Sequence, residues 1–162
     1  SGSSRLSFTG FHLGLRVGFP VDHRYGWETT LAEHQSILDE IQQTLGISVQ
    51  YFSPRSSPWT KTNTTSKAEA KARSRAEEQS TLQWVTKRCQ QCLKDSKKSC
   101  YLLEVPHGSQ LLTESPSKHI YKDKRSKTVV ADQCIHGLID IGQTGFANRR
   151  TISIIHHDID IG

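Results

Sequence analysis

Apolar and polar positions along the 162-residue chain change period several times, and each change predicts an element. Residues 5–27 are short, apolar and punctuated by glycines at 10, 14, 18 and 26. The run LGLRVGFP followed by VDH predicts a helix closing at Gly18, then a strand through Val21 that ends at Asp22. Thr29 or Thr30 is placed to cap the next helix, with Glu33 three residues beyond Thr30 completing a capping box. That helix carries Leu31, His34, Ile37, Leu38, Ile41 and Leu45 on one face and stops at Gly46. ISVQYF alternates like a strand, and the prolines of SPRSSPW end it. After a polar loop, TKTNTTS, the pattern is helical from Lys67 to about Ser96, first Ala-rich and charged, then amphipathic. YLLEVP reads as a buried strand that breaks at Glu104 and Pro106, with Ser109 placed to cap a short helix. TVVADQC and RTISII predict two more strands, separated by a loop, GLIDIGQTGFANR. Strands alternating with helices predict an α/β fold with a doubly wound, mostly parallel sheet flanked by helices. Ligands of such sheets bind beyond the carboxyl ends of the strands, which puts Glu104 at the expected address of a site.

The totals bound this picture more than they refine it. A mass of 18.2 kDa fits one domain, expected over residues 5–155, with 156–162 as a polar tail. Ser1–Ser4 reads as a cloning scar and carries no fold information. A hydrophobic share of 34% and a mean hydropathy of −0.56 are lean for a tightly packed α/β domain, so several segments are expected to be loops or solvated helix. The formal charge of +5 and pI of about 9.1 admit an anionic partner, although a solvated basic surface is the favoured reading of the totals. No apolar run is long enough to span a bilayer, and no signal-peptide pattern is present. The absence of Met suggests an internal fragment of a longer polypeptide.

Cys89, Cys92, Cys100 and Cys134 do not make a disulfide scaffold in a chain this long, and free thiols fit a reducing intracellular compartment, nuclear or cytoplasmic. The CxxC spacing of Cys89 and Cys92, with Cys100 and His107 following, offers a zinc site. However, Leu82, Val85, Cys89 and Cys92 fall at i, i+3, i+7 and i+10, one stripe of a helix. Core cysteines are therefore the expectation, with Trp84 and Val85 against the sheet. His156-His157-x-Asp also has ligand spacing, but a solvated tail is favoured. No metal site is assigned.

Read in order, the pieces resemble the cytosine-carbon-5 DNA methyltransferase family. Phe8-Thr9-Gly10, Phe11 to Arg16 and Gly18-Phe19 are similar to its first motif, and Val21-Asp22 to its second strand, whose terminal acid holds the ribose of S-adenosylmethionine. Ser53-Pro54-Arg55-Ser56 stands where the family has its Pro-Cys loop, Glu104-Val105 where it has Glu-Asn-Val, and Gly145 to Ile155 where it has Gly-x-x-Gln-x-Arg-x-Arg. SPRSSPW, EVPHGS and DQCIHG are closer still to a divergent branch carried in retroelement polyproteins. The resemblance implies a Rossmann-like, methyltransferase-type fold. It implies catalytic positions at Glu104, Ser56 and Arg149, and cofactor positions at Phe8, Gly10 and Asp22.

The chemistry of that family is incomplete here. Methylation at carbon 5 needs a thiolate to attack carbon 6 and an acid near ring nitrogen 3. Glu104 suits the acid, with a strand-end ion pair as the plain alternative. Arg55-Ser56-Ser57 supplies no Cys, and a serine without a base is a far weaker nucleophile. Between Gly10 and Phe11 the chain lacks about three residues of the family's Gly-rich turn, so Phe11 is expected to crowd the cofactor pocket. An Asp at a strand end, such as Asp22, is more often a turn cap than a ribose ligand. No cofactor is expected, S-adenosylmethionine being the alternative. Base flipping also lacks the family's recognition segment.

Basic residues crowd two places. Lys67, Lys71, Arg73 and Arg75 open the long helix, and Lys118, Lys122, Lys124, Arg125 and Lys127 fill one loop with Tyr121 among them and Asp123 as the only acid. Together with Arg150, residues Lys122, Lys124, Arg125 and Lys127 are the candidates for contact with a nucleic-acid backbone. The expectation is a non-catalytic, nucleic-acid-associated or scaffold domain of a larger mobile-element protein, in contact with its other domains and not with a membrane. An active methyltransferase, or an interaction module using Trp27 and Trp59, are the alternatives.

Overall fold

The computed structural model describes residues 5–59, 68–94, 99–114, 116–132 and 151–156. The chain divides into two compact units, Ser1–Gly46 and Ile47–Gly162.

The first unit contains helix α1 (Arg5–His12), a 3-10 turn (His23–Tyr25) and helix α2 (Ala32–Leu45). The sequence reading differs here. Helix α1 stops at His12 rather than Gly18, and residues 15–21 take no regular structure instead of forming a strand. Gly10 lies inside α1, and a Cβ at that position would sit 2.9 Å from Val17 Cγ1. The missing side chain lets the returning segment cross the helix closely. Helix α2 begins at Ala32 without a side-chain cap, because the N-cap position falls to Leu31, while the Thr30 hydroxyl donates to the Glu28 carboxylate (2.7 Å). Its far end is as expected, with Gly46 in the left-handed region at φ 59° and its N–H bonded to the Gln42 carbonyl.

The second unit is a βαβ segment completed by an antiparallel strand pair. Strand β1 (Val49–Phe52) leads through a 3-10 turn (Ser57–Trp59) into the long helix α3 (Ala68–Lys94), and the chain returns as β2 (Cys100–Pro106). A turn at Gln110–Leu112, the short helix α4 (Lys118–Tyr121), β3 (Lys127–Asp132) and β4 (Thr151–His156) follow. The sheet order is β1-β2-β4-β3. Strands β1 and β2 are parallel, and β4 runs antiparallel to both β2 and β3. The fold is thus mixed α/β, with one parallel pairing of three among the described residues rather than the mostly parallel sheet expected. By direction, β1, β2 and β3 agree and only β4 is reversed.

Alternation along β2 sets the layers. Tyr101, Leu103 and Val105 are buried, whereas Cys100, Leu102, Glu104 and Pro106 are half-buried. The buried row meets the stripe predicted on α3, where Leu82, Val85, Cys89, Cys92 and Leu93 join Ile155 and Trp59 in one apolar cluster. Trp84 packs edge-on against Phe52 at 6.1 Å. A polar bridge crosses the same layer: the buried Arg88 donates from Nε to Gln50 Oε1 (3.3 Å), and Gln50 Nε2 lies 3.2 Å from Cys92 Sγ. The cysteines of the CxxC spacing are therefore core residues. Among the described residues no group of His, Cys, Asp and Glu is arranged to hold a metal ion. No described helix is long and apolar enough to cross a membrane.

Candidate functional site

In the second unit the parallel register pairs Tyr51 with Leu102 and Phe52 with Leu103. Glu104 therefore lies two residues beyond the partner of Tyr51, on the same half-open face. The Tyr51 hydroxyl donates to Glu104 Oε2. Burial pushes the Tyr51 phenol well above its ordinary range and the bond to Glu104 adds to the rise, while a hydrogen bond with Ser53 opposes it. A neutral phenol is thereby fixed as a donor to the carboxylate at the carboxyl edge of the sheet, with one oxygen of Glu104 already engaged.

The loop after β1 places Ser56 at the same edge. Ser56 is half-buried, and its carbonyl accepts the Trp59 N–H at 2.9 Å. Among the described residues no His, Asp or Glu hydrogen-bonds its hydroxyl. Arg75 of α3 holds this loop: its guanidinium lies 4.7 Å from the Trp59 ring centroid, and its Nε donates to the Pro58 carbonyl at 3.1 Å. The same guanidinium reaches the loop after β2, donating to Gln110 Oε1 at 2.6 Å and pairing with Glu114 at 3.3 Å. Arg55 donates to Ser57 Oγ (3.2 Å) and lies 3.7 Å from Glu78 of α3. Both edge loops are thus pinned to one helix.

The thiols of the described residues are elsewhere. Cys89 and Cys92 are fully buried in the core, where burial pushes the Cys89 thiol well up. Cys100 opens β2, its Sγ 3.4 Å from the Ser48 carbonyl. Four residues of strand, about 13 Å, separate it from Glu104. At the carboxyl edge His107 Nδ1 instead meets the buried Ser153 Oγ at 3.1 Å, a pair the sequence did not suggest.

The cofactor candidates belong to the first unit. Phe8 is 66% exposed and touches His12 edge-on (4.3 Å). Gly10 is buried against Val17. Asp22 caps the turn His23–Tyr25, its Oδ1 accepting the Arg24 N–H at 3.0 Å and lying 3.2 Å from His23 Nδ1. The backbone and carboxylate that a cofactor would need are committed to local structure.

The basic candidates lie between α4 and β3. Lys118, Lys122, Lys124 and Lys127 are exposed, as is Tyr121. Arg125 braces the loop: its guanidinium donates to both oxygens of Asp123 (3.0 and 2.8 Å) and to the Leu93 carbonyl (2.6 Å). The only acid of the tract is thereby neutralised. Charge is unevenly divided as well. Residues 1–46 hold three Lys and Arg against five Asp and Glu, which leaves 18 against 11 in residues 47–162 from totals of 21 and 16. Arg149, Arg150, Cys134 and His157 lie outside the described residues.

Sequence reasoning missed Tyr51 and Arg75. Arg75 and Glu78 carried a signal, since they continue the stripe of Leu82 and Val85 at helical spacing. Compared with protein-family models, curated proteins and solved structures, the chain finds no match.

Proposed function

We propose that this chain is a catalytically degenerate, cytosine-carbon-5 methyltransferase-like module that associates with nucleic acid through its phosphate backbone, as one part of a larger mobile-element protein. The observation that carries this reading is the tract from α4 to β3. Its four lysines are exposed while its one acid is held by Arg125, so the tract presents positive charge with no acid free to offset it. The excess of cations in residues 47–162 strengthens the local field. The rest of the reading is supported by the βαβ segment, which brings the Ser56 loop and Glu104 to one carboxyl edge, as a methyltransferase-type sheet requires. No thiol stands at that edge among the described residues. The commitments of Gly10 and Asp22 do not fit an adenosyl cofactor.

Fluorescence anisotropy with labelled oligonucleotides over a salt series tests the proposal. The native chain is expected to bind without sequence preference, with affinity falling steeply as salt rises. Lys122→Glu with Lys124→Glu should weaken binding at least about 10-fold and reduce the salt slope by about 2, roughly one per lost phosphate contact. Salt-independent binding, or binding unchanged in the double variant, would refute the assignment. Micromolar affinity for S-adenosylmethionine by calorimetry would refute the degenerate part separately.

A further inference from the structure

The short helix α4 presents an aromatic ring in the middle of the basic tract. Ile120 is 1% exposed and joins the apolar cluster of α3 and β2, which fixes one side of the turn inward. With about 3.6 residues per turn, Lys118 lies on the opposite, outward side, flanked by Tyr121 at i+3 and Lys122 at i+4. The Lys122 N–H bonds to the Lys118 carbonyl at 3.1 Å, so this spacing holds through Lys122. All three side chains are exposed, Tyr121 by 43%. The chain then turns, the Ser126 N–H meeting the Asp123 carbonyl at 3.0 Å, and enters β3 at Lys127. Besides Ile120, two anchors hold this shape: Arg125 on the Leu93 carbonyl (2.6 Å), and the Ser126 hydroxyl paired with that of the buried Tyr101 (2.7 Å). The bond to Leu93 also brings the exposed Lys94, at the end of α3, beside the tract. A ring bordered by cations is thus preorganised, which lowers the ordering cost of binding.

Neither neighbouring acid offsets the lysines. Asp123 is engaged by Arg125 through both oxygens (3.0 and 2.8 Å), and Glu114, four residues before Lys118, pairs with Arg75 at 3.3 Å. Phosphates of any nucleic acid would suit the lysines, but Tyr121 discriminates between its forms. In a duplex each base face is covered by its neighbours, so an exposed ring beside the phosphates gains nothing. A single strand offers open base faces, and a ring flanked by cations can stack on one while the lysines take the adjoining phosphates. An acidic peptide fits less well, since the negative face of the ring repels a carboxylate. We infer that the tract from α4 to β3 is a single-strand site, with a base stacked on Tyr121 and its phosphates on Lys118 and Lys122. This rests on the backbone-binding reading above and narrows it to one form of nucleic acid. Every base has a face, so the site reads no sequence.

The test is fluorescence anisotropy of the full chain with labelled probes of equal length: a single strand, the same strand annealed to its complement, and a sugar-phosphate strand without bases. The single strand is offered as DNA and as RNA; binding of either supports the inference, and the tighter one identifies the sugar. The native chain is expected to bind the single strand at least about 5-fold more tightly than the abasic strand, the effect of one stacked base. It should also prefer the single strand to the duplex, although the duplex carries more phosphate. Tyr121→Ala should abolish the difference between single and abasic strands and keep the salt slope, while Tyr121→Phe should retain the difference. An unchanged urea midpoint controls for folding of Tyr121→Ala, and the abasic comparison needs no variant at all. Equal binding of the abasic strand, equal or tighter binding of the duplex, or an equal loss for all probes in Tyr121→Ala would overturn the single-strand site and leave the backbone reading standing. Salt-independent binding, or binding unchanged by Lys122→Glu with Lys124→Glu, would bring down both. Poly-glutamate competing as well as an unlabelled strand would also overturn both, in favour of an acidic protein partner.

Discussion

Arg75→Ala tests whether the two edge loops are organised by a single guanidinium. The Arg75 side chain is 29% exposed, so its interactions are neither fully screened nor fully desolvated. The contact over Trp59 contributes about 1 kcal/mol. The hydrogen bonds to the Pro58 carbonyl and the Gln110 side chain add about 1 kcal/mol each. The pair with Glu114, whose side chain is 40% exposed, adds at most about 0.5 kcal/mol. Allowing for non-additivity within one network, truncation should cost about 3 kcal/mol. Arg75→Lys keeps a cation near the ring but loses the planar fork, and should cost about 2 kcal/mol. Urea unfolding of the full chain supplies the magnitude. Hydrogen exchange supplies the location: residues 53–59 and 107–114 should exchange faster while the centre of β2 stays protected. A loss below about 0.5 kcal/mol for Arg75→Ala, or fast exchange spread evenly over the sheet, would show that the loops hold themselves.

Two further outcomes follow from burial. Burial raises the phenols of Tyr51 and Tyr101 above their ordinary range, so both are neutral in the folded chain at any pH where an exposed tyrosine is neutral. Their contribution is complete below the unfolded value of about 10 and declines as pH climbs from there toward the folded values, because the unfolded chain releases protons that the folded chain keeps. Tyr101→Phe should therefore flatten the fall of the urea midpoint between about pH 9 and 11.5 relative to the native chain; an unchanged slope would contradict this. In a Cys134→Ser background, a thiol reagent should label Cys100 at least about 100-fold faster than Cys89 or Cys92, which require opening of the α3 layer. Rapid labelling of more than one thiol would argue against the packed stripe.

The sequence disclosed what has a period. The alternation in YLLEVP, the stripe through Leu82, Val85, Cys89 and Cys92, and the stop at Gly46 each encode a face or an end, and each was found where it was expected. Strand direction has no such local code. TVVADQC and RTISII look alike whichever way they run, so the reversal of β4 was invisible until its pairing was seen. In the first unit RLSFTGFH has few turn signals, and one interior glycine does not prevent a helix. The motif resemblance favoured a Gly-rich loop there, and helix propensity won. Arg75 was hidden differently: among Lys67, Lys71 and Arg73 it reads as one more solvated charge, and only its phase with Leu82 sets it apart.

On the proposed reading, these differences explain how an edge could keep its shape without its chemistry. The carboxyl end of β1 and β2 is positioned by Leu103, Val105 and the α3 stripe, all of which belong to the apolar core. On that reading, replacing a nucleophile in the Ser53–Trp59 loop would leave those contacts untouched, because Arg75 and Glu78 hold the loop from the helix side. A cofactor loop would, on the same reading, have no comparable support: its geometry would depend on glycines that approach a ligand, whereas here the segment packs on itself, Gly10 against Val17. On the proposed reading, loss of methyl transfer would therefore be uneven, erasing the pocket of the first unit while leaving the sheet edge of the second. The basic tract held by Arg125 leads into the amino end of β3, the opposite end of the sheet from that edge, and a backbone-binding role there needs position and charge but no reacting group.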